Sequence, residues 1–383
     1  MPDHRARFTM SLLSLLQAHQ AHQAHQAQQA HQAHQNSGGG IDSYQLALAV
    51  ALARDGIVGG GALDTVEGPP RKQTQFQRLE NLDPRFAIAI LAGELMEDFR
   101  VTGSQTDPAE QVQVTVRSVD GDPQVLFQLQ APSDALLRDQ LALIAGYADL
   151  RLERLPEIIA QAQDIVPFFA PLLPFLGAPQ TRRVVSLLAV TDAVTSSIVQ
   201  RVKLLIGCRR PLLFSDRLQP LIDTPTHGSY PSGHATQAFS MATILAALNR
   251  SQPGGEVVPA ADNQLFRMAA RIAANRTVAG VHYPIDSAAG ALLGITVANT
   301  LLQRMGALSG VDEHSMVRAI GFDAGMWPDA ASGDDGDFYL DKLVNAMTGH
   351  RALTSYERVS VLPAPIAGQL WRAAIEDWGR RWG

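Results

Sequence analysis

NRTVAGVHYPIDSAAGALLG, residues 275–294, contains a helix end, a stop and a new helix start in close succession. Arg276 continues the four-residue row Met268, Ile272, so it lies on an otherwise apolar helix face. A guanidinium there demands an anionic partner, because an unpaired buried charge is costly. Gly280 ends that helix, and Pro284 suits the first turn of the next. His282 and Asp286 stand four apart around it. If a helical turn joins them, the carboxylate accepts a hydrogen bond from one imidazole nitrogen and leaves the other basic. A histidine that must act as a nucleophile is held in this way.

Upstream, TPTHGSYPSGH, residues 224–234, runs from turn-forming residues into an apolar-periodic stretch with Phe239, Met241, Leu245 and Leu248. A loop entering a helix through Ser232 and Gly233 offers a hydroxyl, free backbone N–H groups and the positive end of a helix dipole to one point. Gly233 permits close approach. His234, at the same helix start, is placed to exchange a proton with whatever leaves or attacks. Further upstream, Lys203 and Arg210 are separated by close to two helical turns. If their helix persists to Pro211, they share one face roughly 10 Å apart along the axis. Taken alone, these two with Arg201 and Arg209 read as a solvated basic stripe.

The blocks KLLIGCRRP (203–211), YPSGH (230–234) and NRTVAGVHYPID (275–286) resemble the three-part signature of the superfamily shared by type 2 phosphatidic acid phosphatases, bacterial non-specific acid phosphatases and vanadium-dependent haloperoxidases. The likeness covers about 203–294. It implies a mainly α fold: a helical bundle of the acid phosphatase/vanadium haloperoxidase type with the pocket at its core. For a phosphatase it implies that His282 attacks phosphorus and forms a phosphohistidine, that Asp286 orients it, and that His234 protonates the leaving alkoxide and later activates water. Lys203, Arg210, Ser232, Gly233 and Arg276 would hold the oxygens, and neither cofactor nor metal is implied. For a haloperoxidase it implies vanadate on His282, with peroxide and a halide as the other reactants and His234 as the acid–base. One departure is Asn275, where the signature usually has serine. His227 falls where some haloperoxidases carry a residue that tunes halide oxidation. Asp192 is read as a surface carboxylate, with pairing to a pocket cation as the alternative.

The rest of the chain frames this site. Residues 1–40 are a low-complexity His/Gln/Ala tail with histidines at 19, 22, 25, 31 and 34, read as solvated and outside the site. Residues 41–132 form an N-terminal helical segment, with helices at Ser43–Arg54 and Pro84–Arg100 and a small β-hairpin. In the hairpin, Val112, Val114 and Val116 alternate with polar residues, and Val125, Phe127 and Leu129 do so again beyond Asp120-Gly121. Residues 133–308 form the catalytic bundle, with helices near 134–153, 179–206, 234–249, 262–279 and 284–306. Residues 309–383 add a C-terminal extension with helices near 338–348 and 364–382, and an acidic turn, SGDDGDF, at 332–338.

With 18% charged and 46% hydrophobic residues and a net charge of −6, the chain is globular, and its charge speaks against a surface that attracts nucleic acid or anionic lipid as a whole, so an anion site must be local. Its one cysteine, Cys208, reads as a small buried hydrophobe. Met10 to Leu16 is too short for a signal peptide. The apolar stretches Ile158–Gly177, Val184–Gly207 and Ser287–Met305 are interrupted short of the roughly 20 apolar residues of a membrane span. These features describe a soluble, cytoplasmic enzyme acting on a small phosphorylated substrate, with vanadate-dependent halide peroxidation as the second reading and non-catalytic anion binding as the third. Oligomeric state leaves no trace in the sequence.

Overall fold

The computed structural model describes residues 52–53, 72–250, 254–308, 316–328 and 333–382. The chain divides into two units between Arg71 and Lys72, and the architecture below belongs to the second. The histidine-rich tail, most of Ser43–Arg54 and the first residue of the acidic turn lie outside the described residues.

Helix α1 (Gln75–Glu80) and helix α2 (Pro84–Met96) come first. Thr74 and Asp83 cap them through side-chain oxygens that accept from Gln77 N and Arg85 N. The helix expected to reach Arg100 stops at Met96, and Phe99–Gly103 becomes strand β1. β1 pairs antiparallel with β2 (Gln111–Arg117), so its residues satisfy their backbone groups across a sheet. β2 and β3 (Pro123–Gln130) form the expected hairpin, with Val112 opposite Leu129 and Val114 opposite Phe127. A bulge follows Val114 and shifts the register, which is why Leu126, rather than Val125, is buried beside Phe127. The hairpin is not an isolated embellishment. β4 (Ile320–Asp323) joins β3 in parallel and β5 (Leu353–Ser355) pairs antiparallel with β4, giving a five-stranded sheet in chain order.

The expected helix over 134–153 is broken. Ser133 caps α3 (Asp134–Asp139), and α4 (Leu141–Gly146) and a short 3-10 turn lead into α5 (Arg151–Gln161), which runs on past Pro156. α6 (Arg182–Ile206), α7 (Gly233–Leu248), α8 (Gln264–Val278) and α9 (Pro284–Arg304) build the bundle, followed by α10 (Leu340–Ala346) and α11 (Pro365–Gly379). α9 lies at the centre and packs on α7, which also meets α6 and α8. By length and composition α9 could cross a bilayer, contrary to the sequence reading, but it is wholly buried within the protein. In the acidic turn, Asp334 pairs with the Lys342 ammonium at 2.6 Å, and Asp337 accepts from the Tyr147 hydroxyl at 2.9 Å.

The α7–α9 crossing sets the site because the histidines stand at its end. Gly290 and Gly294 permit it: a Cβ would fall 2.5 Å from Ser232 O at the first and 2.3 Å from Thr236 O at the second. Both obstacles are backbone atoms, which side-chain rotation cannot clear. Gly294→Ala should therefore destabilise the protein by about 1–3 kcal/mol or more. Gly93→Ala, in α2 with nothing within 4 Å of the new Cβ, should stabilise it by about 0.4–1 kcal/mol. Denaturant titrations of the two variants check this, and equal stabilities would contradict the crossing.

Candidate active site

Lys203 and Arg210 do converge, but not by sharing a helix face. α6 ends at Ile206, where Gly207 takes a left-handed conformation with φ 62° and closes the helix. Arg210 is then extended, with φ −73° and ψ 155°. The Lys203 ammonium donates to Gly228 O at 2.8 Å and Ser229 O at 2.7 Å. Arg210 donates to His227 O at 3.1 Å and Val281 O at 2.7 Å. The loop before α7 is thus threaded between the two cations. Cys208 is buried there as a small apolar group, and burial pushes its thiol up to about 12. Arg209 turns outward to pair with Asp134.

The His282–Asp286 pair forms at the start of α9. Nδ1 of His282 lies 2.8 Å from Asp286 Oδ2, which also accepts from Tyr283 N at 3.0 Å. Nε2 lies 3.0 Å from an Arg210 guanidinium nitrogen. Arginine only donates, so Nε2 must be the lone-pair nitrogen and Nδ1 must carry the proton. Burial, then Arg210, Lys203, His234 and Arg276, holds this imidazole far below its ordinary pKa. It is neutral at pH 7.

Ser232 caps α7, its hydroxyl oxygen accepting from Ala235 N, and its own N–H donates to Asp286 O at 2.8 Å. That bond ties the first turn of α7 to the first turn of α9. Above Gly233 the nearest protein atom to an ideal Cβ is Lys203 Cε, at 3.9 Å. The glycine is not required by protein packing and leaves a cradle between the helix start and the lysine. His234 is partly buried, and its Nε2 lies 3.0 Å from Gln161 O. A carbonyl only accepts, so Nε2 carries the proton and Nδ1 is the nitrogen free to exchange one. Burial first, then Arg276, lowers its pKa to about 3.

Arg276 donates to Ile158 O at 3.1 Å and to Gln161 Oε1 at 3.0 Å. Its Nε and Nη1 are buried with no hydrogen-bond partner, and burial lowers its pKa to about 10. Lys203, Arg210 and Arg276 are each 3% exposed or less, and Asp286 is the buried carboxylate beside them. Burial pushes Asp286 up against the opposing pull of Lys203. Burial, then Arg210, pushes Lys203 down. Three buried cations facing one buried carboxylate, with unpartnered guanidinium N–H groups and an open cradle at a helix N-terminus, make a donor set that fits a phosphate or vanadate dianion.

His227 is exposed at the rim, its Nδ1 3.1 Å from an Arg210 nitrogen. Asp192 is neither a surface carboxylate nor a partner of a pocket cation. It is half-buried and accepts from Gln237 Nε2 at 2.8 Å. Asn275 faces away from the cradle and donates to Glu157 and Gln161 at 3.0 Å each. The residue that sequence reasoning missed is Gln161. Its side-chain partners, Asn275 and Arg276, lie more than a hundred positions away in the chain, so no local spacing marks it.

Residues 182–308 match the PAP2 superfamily, and the chain carries a domain of that superfamily there. Over 103 residues the chain is 34% identical to a vanadium-dependent bromoperoxidase of Ascophyllum nodosum, a stretch that covers 21% of this chain and 18% of the relative. Over 168 residues it is 28% identical to a decaprenylphosphoryl-5-phosphoribose phosphatase of two Mycobacterium tuberculosis strains, covering 42% of this chain and 87% of the relative. The chain thus spans under a fifth of the length of the bromoperoxidase and most of the length of the phosphatase.

The charge state of Lys203 yields a test. Its lowered pKa means that the ammonium is lost at a lower pH than in free lysine, and an anion binds best while it is protonated. Tungstate, a dianion throughout the neutral and mildly alkaline range, should bind progressively more weakly as pH rises through that range. In Lys203→Met the affinity should be lower and its pH dependence flatter. Calorimetric titration measures both, and a slope identical to wild type would remove Lys203 from the site.

Proposed function

We propose that the chain is a soluble phosphomonoester hydrolase, with residues 133–308 as its catalytic bundle, acting through a phosphohistidine at His282. The observation that carries this reading is the tautomer of His282: Nδ1–H on Asp286 and a lone pair on Nε2 beside the Arg210 guanidinium. The match over most of the length of a phosphatase supports it.

A phosphomonoester seated with its oxygens on Lys203, Arg210, Arg276, the Ser232 hydroxyl and the Gly233 N–H brings phosphorus up to Nε2. Arg210 moves its N–H from Nε2 to a phosphoryl oxygen, which frees the lone pair as the substrate arrives. Nε2 attacks phosphorus, the P–O bond to the alcohol breaks, and Asp286 stabilises the positive ring. The bound dianion offsets the cations that, after burial, depress His234, and favours the charged ring. His234 then carries a proton on Nδ1 and delivers it to the departing alkoxide. A water, deprotonated by the same nitrogen, attacks the phosphohistidine, releases inorganic phosphate and restores His282. The cations contribute mainly by meeting charge on the transferring group in a site shielded from water.

A second reading, vanadate-dependent halide peroxidation, is favoured by the 34% identity to the bromoperoxidase and by His227 on Arg210 at the rim. His282 Nε2 would ligate vanadate, and the same cations, Ser232 and Gly233 would hold its oxygens. Bound there, vanadate supplies Lewis-acid activation of peroxide for oxidation of a halide. His234 Nδ1 would hold or pass the proton of the peroxide.

Two assays separate the readings. p-Nitrophenyl phosphate should be hydrolysed without added metal, with turnover inhibited by vanadate and lost in His282→Ala. Bromination of a phenol dye that requires vanadate, peroxide and bromide, without phosphatase turnover, would overturn the hydrolase in favour of the second reading. His234→Ala should slow alkyl phosphates by about 10²–10⁴ and aryl phosphates with good leaving groups much less. Equal losses on both would refute its part as the acid.

A further inference from the structure

Gln161 closes α5, upstream of the residues that match the superfamily, and is 1% exposed. α5 is fixed to α8 by a ladder of polar contacts. Glu157 pairs with Arg271 and accepts from Asn275, Arg154 donates to Asn275 at 3.3 Å, and Arg151 donates to Val278 O at 3.2 Å. The end of α5 is therefore placed by the same helix that carries Arg276.

Gln161 meets the site through two bonds, to His234 and to Arg276. Its backbone carbonyl sets the tautomer of His234. Its side-chain Oε1 accepts from Asn275 Nδ2 and from Arg276, each at 3.0 Å. Two donors on one atom fix which end of the carboxamide is oxygen. Its Nε2, the other end, is buried with no partner, and so are Nε and Nη1 of the Arg276 to which it is bonded. Leaving a buried donor unsatisfied is costly, because it gives up its bonds to water and gains none. Three such donors on two joined side chains share the need for one nearby acceptor with several lone pairs. A tetrahedral oxyanion has that chemistry, and an apolar neighbour or another donor does not.

We propose that Gln161 is a binding residue of the oxyanion pocket, its carboxamide N–H₂ donating to the bound anion while its oxygen aims Arg276 at the same group. It extends the pocket beyond Lys203, Arg210, Ser232, Gly233 and Arg276 to α5. The inference rests on the oxyanion reading above but not on which reaction follows, so its test uses tungstate and needs no turnover.

The ¹⁵N-labelled full-length protein is titrated with tungstate while the Gln161 side-chain N–H₂ signal is followed, assigned by its loss in Gln161→Met. The signal should shift on saturation, and Gln161→Met should bind tungstate about tenfold or more weakly while retaining a folded circular dichroism spectrum. Where the methionine variant does not fold, Gln161→Asn serves for assignment and should bind more weakly too, because its shorter arm cannot hold Arg276 and reach the anion together. An unmoved N–H₂ signal at saturating tungstate, or unchanged affinity in a folded variant, overturns the proposal. So does a wild-type protein that does not bind tungstate. A shifted signal and weakened binding without phosphoester turnover would leave Gln161 in place and sink only the hydrolase reading.

Discussion

Burying a cation away from water costs several kcal/mol unless charge or hydrogen bonds compensate it, and this protein buries three around one imidazole. Their protein partners are mostly carbonyl oxygens: Gly228 and Ser229 for Lys203, His227 and Val281 for Arg210, Ile158 and Gln161 for Arg276. Carbonyl dipoles offset part of the desolvation but carry no full charge, and Asp286 supplies only one. Burial first, and then the remaining positive potential, holds His282 and His234 below the ordinary imidazole range. On the proposed reading that potential also draws in a dianion, which then allows His234 to hold a proton. Binding and acid–base chemistry thus follow from one imbalance of charge.

Such an imbalance needs a rigid frame, since three like charges would otherwise move apart or reach water. The α7–α9 crossing provides one side of it, with Gly290 and Gly294 letting the backbones nearly touch and Ser232 N bonded to Asp286 O. The sheet reaches the loop before α7 through the Tyr230 hydroxyl, which donates to Gln130 O at 3.1 Å. The start of α9 is held through Ile285 N, which donates to Gln140 Oε1 at 3.1 Å. On the far side, α5 braces Arg276 and His234. Segments distant in sequence are therefore held by bonds between backbone and buried side chains, which yield less than exposed ion pairs would.

How far this was legible in the sequence depended on range. The His282–Asp286 pair is four residues apart and the row Met268, Ile272, Arg276 is periodic, so both could be read from spacing. The turn after α6 could not: helical spacing predicts an end near 206, as observed, but the convergence of Lys203 and Arg210 on one face requires that helix to persist to Pro211, whereas Gly207 in a left-handed conformation stops it and Arg210 arrives on extended chain. Phe99 and Arg100 read as the end of a helix because the strand pairing of Phe99–Gly103 is tertiary, and β4 and β5 are too short to show a two-residue period. Gln161 and the burial of Asp192 arise from contacts between distant segments, which leave no local pattern.

The most direct test of the account is a crystal structure of the protein with tungstate, the metal located by its anomalous scattering. The ion should sit against His282 Nε2, within hydrogen-bond distance of Arg276, Arg210, Lys203 and the Gly233 N–H. Tungsten bound elsewhere, or a cradle holding only water at saturating tungstate, would contradict the claim that these separated segments enclose a single oxyanion.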